Sequence, residues 1–223
     1  MPPVNKDFVL TGPQGSGKGT QGRILSDSLA RPFFEMGAYL RKIISENRKS
    51  PFVESIERHV SSGRLIHDDD VKNILELFIK QHSGEGIVFD GICRTLDQAK
   101  IFDGLMKKLG REYIVININL PKELAYDRVS VRRICPKCKA TYPISYKKNT
   151  CSYIYESGLK CDGILVKRQD DKDEKSINER LDNFYGKTSL AIDWLRENGN
   201  LIDIDGNQDI MVVTREINSK IYG

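Results

Sequence analysis

Hydrophobic positions along this chain follow two rhythms. Short apolar runs at 8–11, 33–36, 87–90, 113–119 and 201–205 predict five β-strands, and the segments between them repeat apolar residues at three and four, as amphipathic helices do. Helices are expected at 20–30, 71–81, 96–109 and 122–133. Alternating strand and helix implies an α/β fold with a mostly parallel sheet covered on both faces. In such a fold, ligands sit at the carboxyl ends of the strands.

Two stretches break the alternation. Residues 36–66 insert helical, arginine-bearing sequence between the second and third strands, and 135–167 form a turn-rich excursion of short strands carrying cysteine and tyrosine. Asp68, Asp69 and Asp70 read as the cap and first turn of the helix that follows, where carboxylates face the positive end of the dipole. His59, His67 and His82 fall in helical or polar segments and read as surface residues.

A chain of 223 residues fits one domain with small inserts. With 39% hydrophobic and 30% charged residues it lies within the globular range. No run approaches the ~20 apolar residues of a membrane span, and the first seven residues lack a signal-peptide core, so a cytoplasmic protein is expected. A net charge of +4 is too small to argue for nucleic acid, and a smaller anion explains the arginines equally well. The 5 cysteines cannot all pair internally. Four cluster between 135 and 161, which in a reducing compartment points to metal before disulfide.

Chemistry is densest at Gly12-Pro13-Gln14-Gly15-Ser16-Gly17-Lys18-Gly19-Thr20, after the first strand and at the mouth of a helix. Glycines there let backbone amides turn inward around phosphates, the helix N-terminus adds its dipole, and Lys18 supplies a point charge. Gly19 stands where the common phosphate loop has the Ser or Thr that meets magnesium.

The GxxGxGKGTQ variant resembles the nucleoside monophosphate kinases, and the adenylate kinases in particular. The resemblance continues in Gly37 and Arg41, in Gly91, Arg94 and Gln98 after Asp90, in Asp127-Arg128 with Arg132-Arg133, in Arg168, Asp170, Asp171 and Arg180, and in Asp205-Gly206. It implies a three-layer P-loop fold: a five-stranded parallel sheet flanked by helices, an inserted acceptor flap and a small lid of zinc-ribbon type. The core would comprise 1–35, 67–133 and 168–223, with the flap at 36–66 and the lid at 134–167.

The activity so implied is reversible phosphoryl transfer from ATP to AMP, with Mg2+ accompanying ATP. Catalytic work would fall to Lys18, Arg94, Arg132, Arg168 and Arg180. ATP would meet Gly15, Ser16, Gly17, Lys18, Gly19, Thr20, Arg128, Arg132, Gly206 and Gln208. AMP would meet Met36, Arg41, Val60, Ile66, Gly91, Arg94, Gln98, Arg168 and Arg180. Asp90 would orient water around magnesium, Asp170 and Asp171 would fix the lid arginines, and the enzyme would act as a monomer without nucleic acid or membrane partners.

This chain also departs from the pattern. Met36 and Ala38 replace a threonine and an aspartate, and Ile92-Cys93 replaces Phe-Pro, all on the acceptor side, which leaves UMP or CMP as alternative acceptors. Gln98 argues for adenine, because an amide meets both a donor and an acceptor on the base edge. Cys93 reads as a packing substitution. Cys135-Pro136-Lys137-Cys138 has zinc-knuckle spacing. Cys151 and Cys161 would complete the site across nine residues, so either that insert loops out or a group such as Asp162 replaces one thiolate. The resemblance implies structural zinc on all four cysteines. A reading of another class makes the cysteine ribbon a nucleic-acid or protein reader and the phosphate loop a switch.

Overall fold

A computed structural model of the chain describes residues 6–46, 50–61, 65–138, 140–143, 145–155, 157–168, 171, 173–199 and 201–222. The strands are β1 (Lys6–Thr11), β2 (Phe33–Glu35), β3 (Val88–Asp90), β4 (Glu112–Asn119), β5 (Arg133–Ile134), β6 (Thr141–Tyr142), β7 (Val166–Lys167) and β8 (Leu201–Asp205). Five of them make a parallel sheet in the order β2-β3-β1-β4-β8, and β6-β5-β7 form a separate antiparallel sheet. The helices are α1 (Lys18–Leu29), α2 (Met36–Glu46), α3 (Pro51–Ser61), α4 (Asp68–Gln81), α5 (Leu96–Lys108), α6 (Lys122–Val131), α7 (Glu174–Asn183), α8 (Ser189–Asn198) and α9 (Ile210–Tyr222), with a π-helical turn at Phe184–Thr188 between α7 and α8.

Side-chain alternation along the strands builds the core. Val9, Phe89 and Val115 pack on one face of the sheet with Leu75, Phe102 and Leu195 from α4, α5 and α8. Phe8, Leu10 and Ile116 pack on the other with Leu25, Val213 and Ile217 from α1 and α9. Each such side chain contributes about 1.5–3 kcal/mol on burial, so both helical layers are held firmly. At the amino end of the sheet, the fully buried Asp7 takes two bonds from Arg111, at 2.6 and 2.8 Å, and a third from the Ile87 amide at 2.7 Å. That pin closes one end of the sheet. The carboxyl ends are left for chemistry.

All five predicted strands form, and the differences lie at element ends. Met36 opens α2 instead of ending β2, because β2 is an edge strand whose ladder stops at Glu35. The helix expected over 122–133 stops at Val131, since Arg132 turns extended and Arg133 pairs with Tyr142 and Lys167 in the small sheet. The acidic triplet forms the first turn of α4 behind an extended His67 cap. Among the described residues, no helix is long and apolar enough to cross a membrane.

Candidate active site

The loop between β1 and α1 needs glycine for a steric reason. Gly12 has φ 144°, and a Cβ there would lie 2.5 Å from the Ile118 carbonyl oxygen, so β4 can approach only a bare backbone. α1 begins with no side-chain cap and no acidic residue in its first turn, which leaves its first amides open to an anion. Lys18 Nζ donates to the Pro13 carbonyl at 3.2 Å and curls back over the loop. A Cβ on Gly19 would stand 3.2 Å from Asp90 Oδ2, so a carboxylate from the end of β3 occupies the neighbourhood in which other phosphate loops carry a hydroxyl. The buried Ser16 Oγ and Asp90 Oδ1 have no protein hydrogen-bond partner.

A cavity of about 170 Å³ opens beside this loop. Lys18, Arg94, Arg132, Arg168 and Arg180 all line it, from α1, the β3–α5 loop, the end of α6, the end of the small sheet and α7. Met36, Arg41, Ile66, Gly91 and Gln98 line its other side. Val60 belongs to α3, but its side chain lies outside the described residues, as does Asp170. Specific acceptors hold Arg94, Arg41, Arg132 and Arg180. Arg94 Nε donates to the Gly91 carbonyl at 2.8 Å, and Arg41 Nη2 to Glu35 Oε1 at 3.2 Å. Arg132 donates through Nε and Nη2 to the fully buried Asp171, which also accepts from Arg180 Nη2 at 2.5 Å.

Arg128 stands outside the cavity lining. Its Nη1 donates to the carbonyls of Gly206 at 2.9 Å and Gly15 at 3.3 Å, clamping the phosphate loop to the loop after β8. Gly206 is itself tied to the Asn119 carbonyl at 2.8 Å, and Gln208 Nε2 reaches Glu216 at 3.4 Å. Arg128 and Gly206 thus lie beside Gly15 at the phosphate loop, while Gln208 follows in the same loop after β8.

Electrostatics reflect this crowding. Burial lowers the Lys18 ammonium to about 8; Arg94, Arg132 and Arg168 push the same way, and Asp90 opposes them. Burial raises Asp90 to about 6, with Lys18 holding it down and Glu35 adding to the rise. The guanidinium of Arg94 is likewise weakened by burial and by Arg168 and Arg180. Cations this close, with so few carboxylates among them, make the cavity a receptor for a polyanion.

Beside the small sheet, Cys135, Cys138, Cys151 and Cys161 bring their sulfurs within 4.8 Å of one another, and all are free thiols. The irregular half-site is resolved by a hairpin. Ile154 bridges Lys160, Tyr155 N donates to the Leu159 carbonyl at 2.9 Å, and Gly158 turns the tip at φ 79°. Asp162 pairs with Lys137 at 2.6 Å and is not needed as a ligand. Gly163 must be glycine, since a Cβ there would lie 2.3 Å from Cys135 Sγ. Four sulfurs so gathered suit a tetrahedral metal ion.

The adenylate kinase family profile matches residues 10–200. The chain belongs to the adenylate kinase family. It is 33% identical over 216 residues to an adenylate kinase of Kosmotoga olearia, covering 95% of this chain and 96% of the relative. It is 33% identical over 217 residues to one of Archaeoglobus fulgidus, covering 95% of each chain. An adenylate kinase of Moorella thermoacetica is 33% identical over 211 residues, with 92% and 93% coverage.

Several features of this adenylate kinase site were not legible beforehand. Glu35 pairs with Arg41 and lies 3.7 Å from Arg23, yet in the sequence it is one acid at a strand end. Thr188, in the π-helical turn, donates to the Arg94 carbonyl at 2.9 Å, and nothing in the chain marks it. Cys93, where the family pattern has proline, takes φ 56° and is buried in the core, which drives its thiol well above the ordinary range. That burial accords with a packing role.

Proposed function

We propose that this enzyme transfers the terminal phosphate of ATP to AMP, reversibly, giving two ADP. The observation that carries the reading is the convergence of Lys18, Arg94, Arg132, Arg168 and Arg180 on one cavity beside the phosphate loop. Transfer between phosphates needs no base, and the moving group is stabilised by positioned positive charge. Loop amides and Lys18 hold the donor phosphates, Arg41 and Arg94 hold the acceptor phosphate, and Arg132, Arg168 and Arg180 close on the transferring group. Arg128 lies beside the donor adenine with Gly206 and Gln208.

Residues 36–66 and 134–167 close over the substrates as acceptor flap and lid, on a core of 1–35, 67–133 and 168–223, and exclude water from the transfer. The unpartnered Asp90 Oδ1 suits the water shell of Mg2+, which neutralises the outer phosphates when bound. The four cysteines suit Zn2+, which would be structural because no ligand position is left open. The same reading takes the enzyme to act as a cytoplasmic monomer.

The test is incubation with magnesium, ATP and AMP, CMP, UMP or GMP in turn. AMP should be converted to diphosphate far faster than the rest; a preference for UMP or CMP would overturn the acceptor assignment.

A further inference from the structure

The acceptor assignment rests on Gln98, and Gln98 does not stand alone. Its side chain is 3% exposed and lines the cavity. Nε2 donates to Asp68 Oδ1 at 2.9 Å, and Oε1 accepts from the Arg94 amide at 2.9 Å. A carboxylate can only accept and a backbone amide can only donate, so the two partners demand the nitrogen on one side and the oxygen on the other. Turning the amide over would set oxygen against oxygen at Asp68 and donor against donor at Arg94. Thr95 tightens the arrangement, since its hydroxyl donates to the same Asp68 oxygen at 3.3 Å and accepts from the Gln98 amide at 3.1 Å.

The geometry points to Asp68 as a positioning residue for the acceptor base. Through Gln98 it favours a base with an amino group beside a ring-nitrogen acceptor over one with a carbonyl beside a ring N–H. The inference builds on the acceptor reading proposed above. After the two fixed bonds, Gln98 keeps one N–H and one lone pair, in a set order. Adenine offers a matching acceptor and donor; hypoxanthine, identical in outline at that edge, offers them reversed. A mismatch leaves buried polar groups unpaired, which costs more than a missing contact. As a mere first-turn acid, Asp68 would matter to α4 alone; its bonds to α5 give it the second task.

The test compares wild type with Asp68→Ala, Asp68→Asn and Gln98→Ala. For each, kcat and KM are measured with AMP and with IMP, along with KM for ATP and the melting temperature. Asp68→Ala should raise KM for AMP and lower the AMP-to-IMP ratio of kcat/KM, each by about tenfold, the size of one lost hydrogen bond. Its kcat with AMP and its KM for ATP should stay near wild type. Asp68→Asn keeps a carbonyl that accepts the same bond but loses the charge at the helix start. It should therefore melt like the alanine variant while retaining wild-type selectivity.

Should alanine impair folding, Asp68→Ser replaces it, being too short to reach the amide. An unchanged AMP-to-IMP ratio in the alanine or serine variant overturns the role of Asp68, as does equal loss of selectivity in Asp68→Asn. If Gln98→Ala leaves KM for AMP unchanged, the acceptor reading itself fails, and the inference with it. A raised KM in Gln98→Ala with a normal Asp68→Ala overturns only the inference.

Discussion

Arg132 grips the buried carboxylate of Asp171 with both Nε and Nη2, the latter at 3.0 Å, across 39 residues of sequence. Asp171 is 0% exposed and also accepts from Arg180 at 2.5 Å, so one anion sets the spacing of two cavity arginines. Removing it strands two buried cations. Asp171→Ala should cost about 3 kcal/mol of stability and, by letting the arginines drift, roughly a hundredfold in kcat. Thermal melting and steady-state assays check this; a variant as active as wild type would show that the arginines need no such tether.

Lys18→Ala and Arg94→Ala should each lower kcat by roughly a thousandfold, the scale of losing one preorganised electrostatic contact to the transition state. Stability should move little or rise, because burial already disfavours the charge on both groups. Calorimetry alongside rate measurements separates this outcome from simple unfolding, in which melting would fall with activity.

Activity should depend on pH through two groups. Asp90 must be ionised to meet hydrated magnesium, and its raised value sets an acid limb of kcat/KM near pH 6. Lys18 must stay protonated to hold phosphate, and its lowered value sets an alkaline limb near pH 8. The kcat profile should keep its alkaline limb higher, since bound phosphates favour the ammonium. A kcat/KM profile flat from pH 5 to 9 would contradict both assignments.

Metal removal should act on folding before rate. Stripping the protein with a strong chelator should lower the melting temperature by at least about 5 °C, given that ~1 kcal/mol moves a chain of this size by 2–4 °C, with kcat at 25 °C changed less than about twofold. Gly163→Ala should abolish the metal-dependent gain in melting, because the added Cβ meets Cys135 Sγ at 2.3 Å. Metal analysis of both preparations, with melting curves, decides it.

By itself the sequence determined the strand set and the phosphate loop, and it singled out the cations that line the cavity. The strands are legible because burial on both faces demands continuous apolar runs, and the loop because its glycines answer a local backbone requirement. Element ends were less legible: α6 stops at Val131 because Arg133 finds partners at Tyr142 and Lys167, which no local pattern announces. Only the tertiary structure decided how the side chains restrain one another. Asp68 faces Gln98 across 30 residues, Thr188 caps the Arg94 carbonyl across 94, and Arg128 joins two loops separated along the chain. The nine residues between Cys151 and Cys161 look like an irregular half-site until a hairpin takes up the extra length and leaves both cysteines beside Cys135 and Cys138. Periodicity records what a residue does for its own element. A hydrogen bond between elements leaves no period, so it becomes visible only once packing has brought its two ends together.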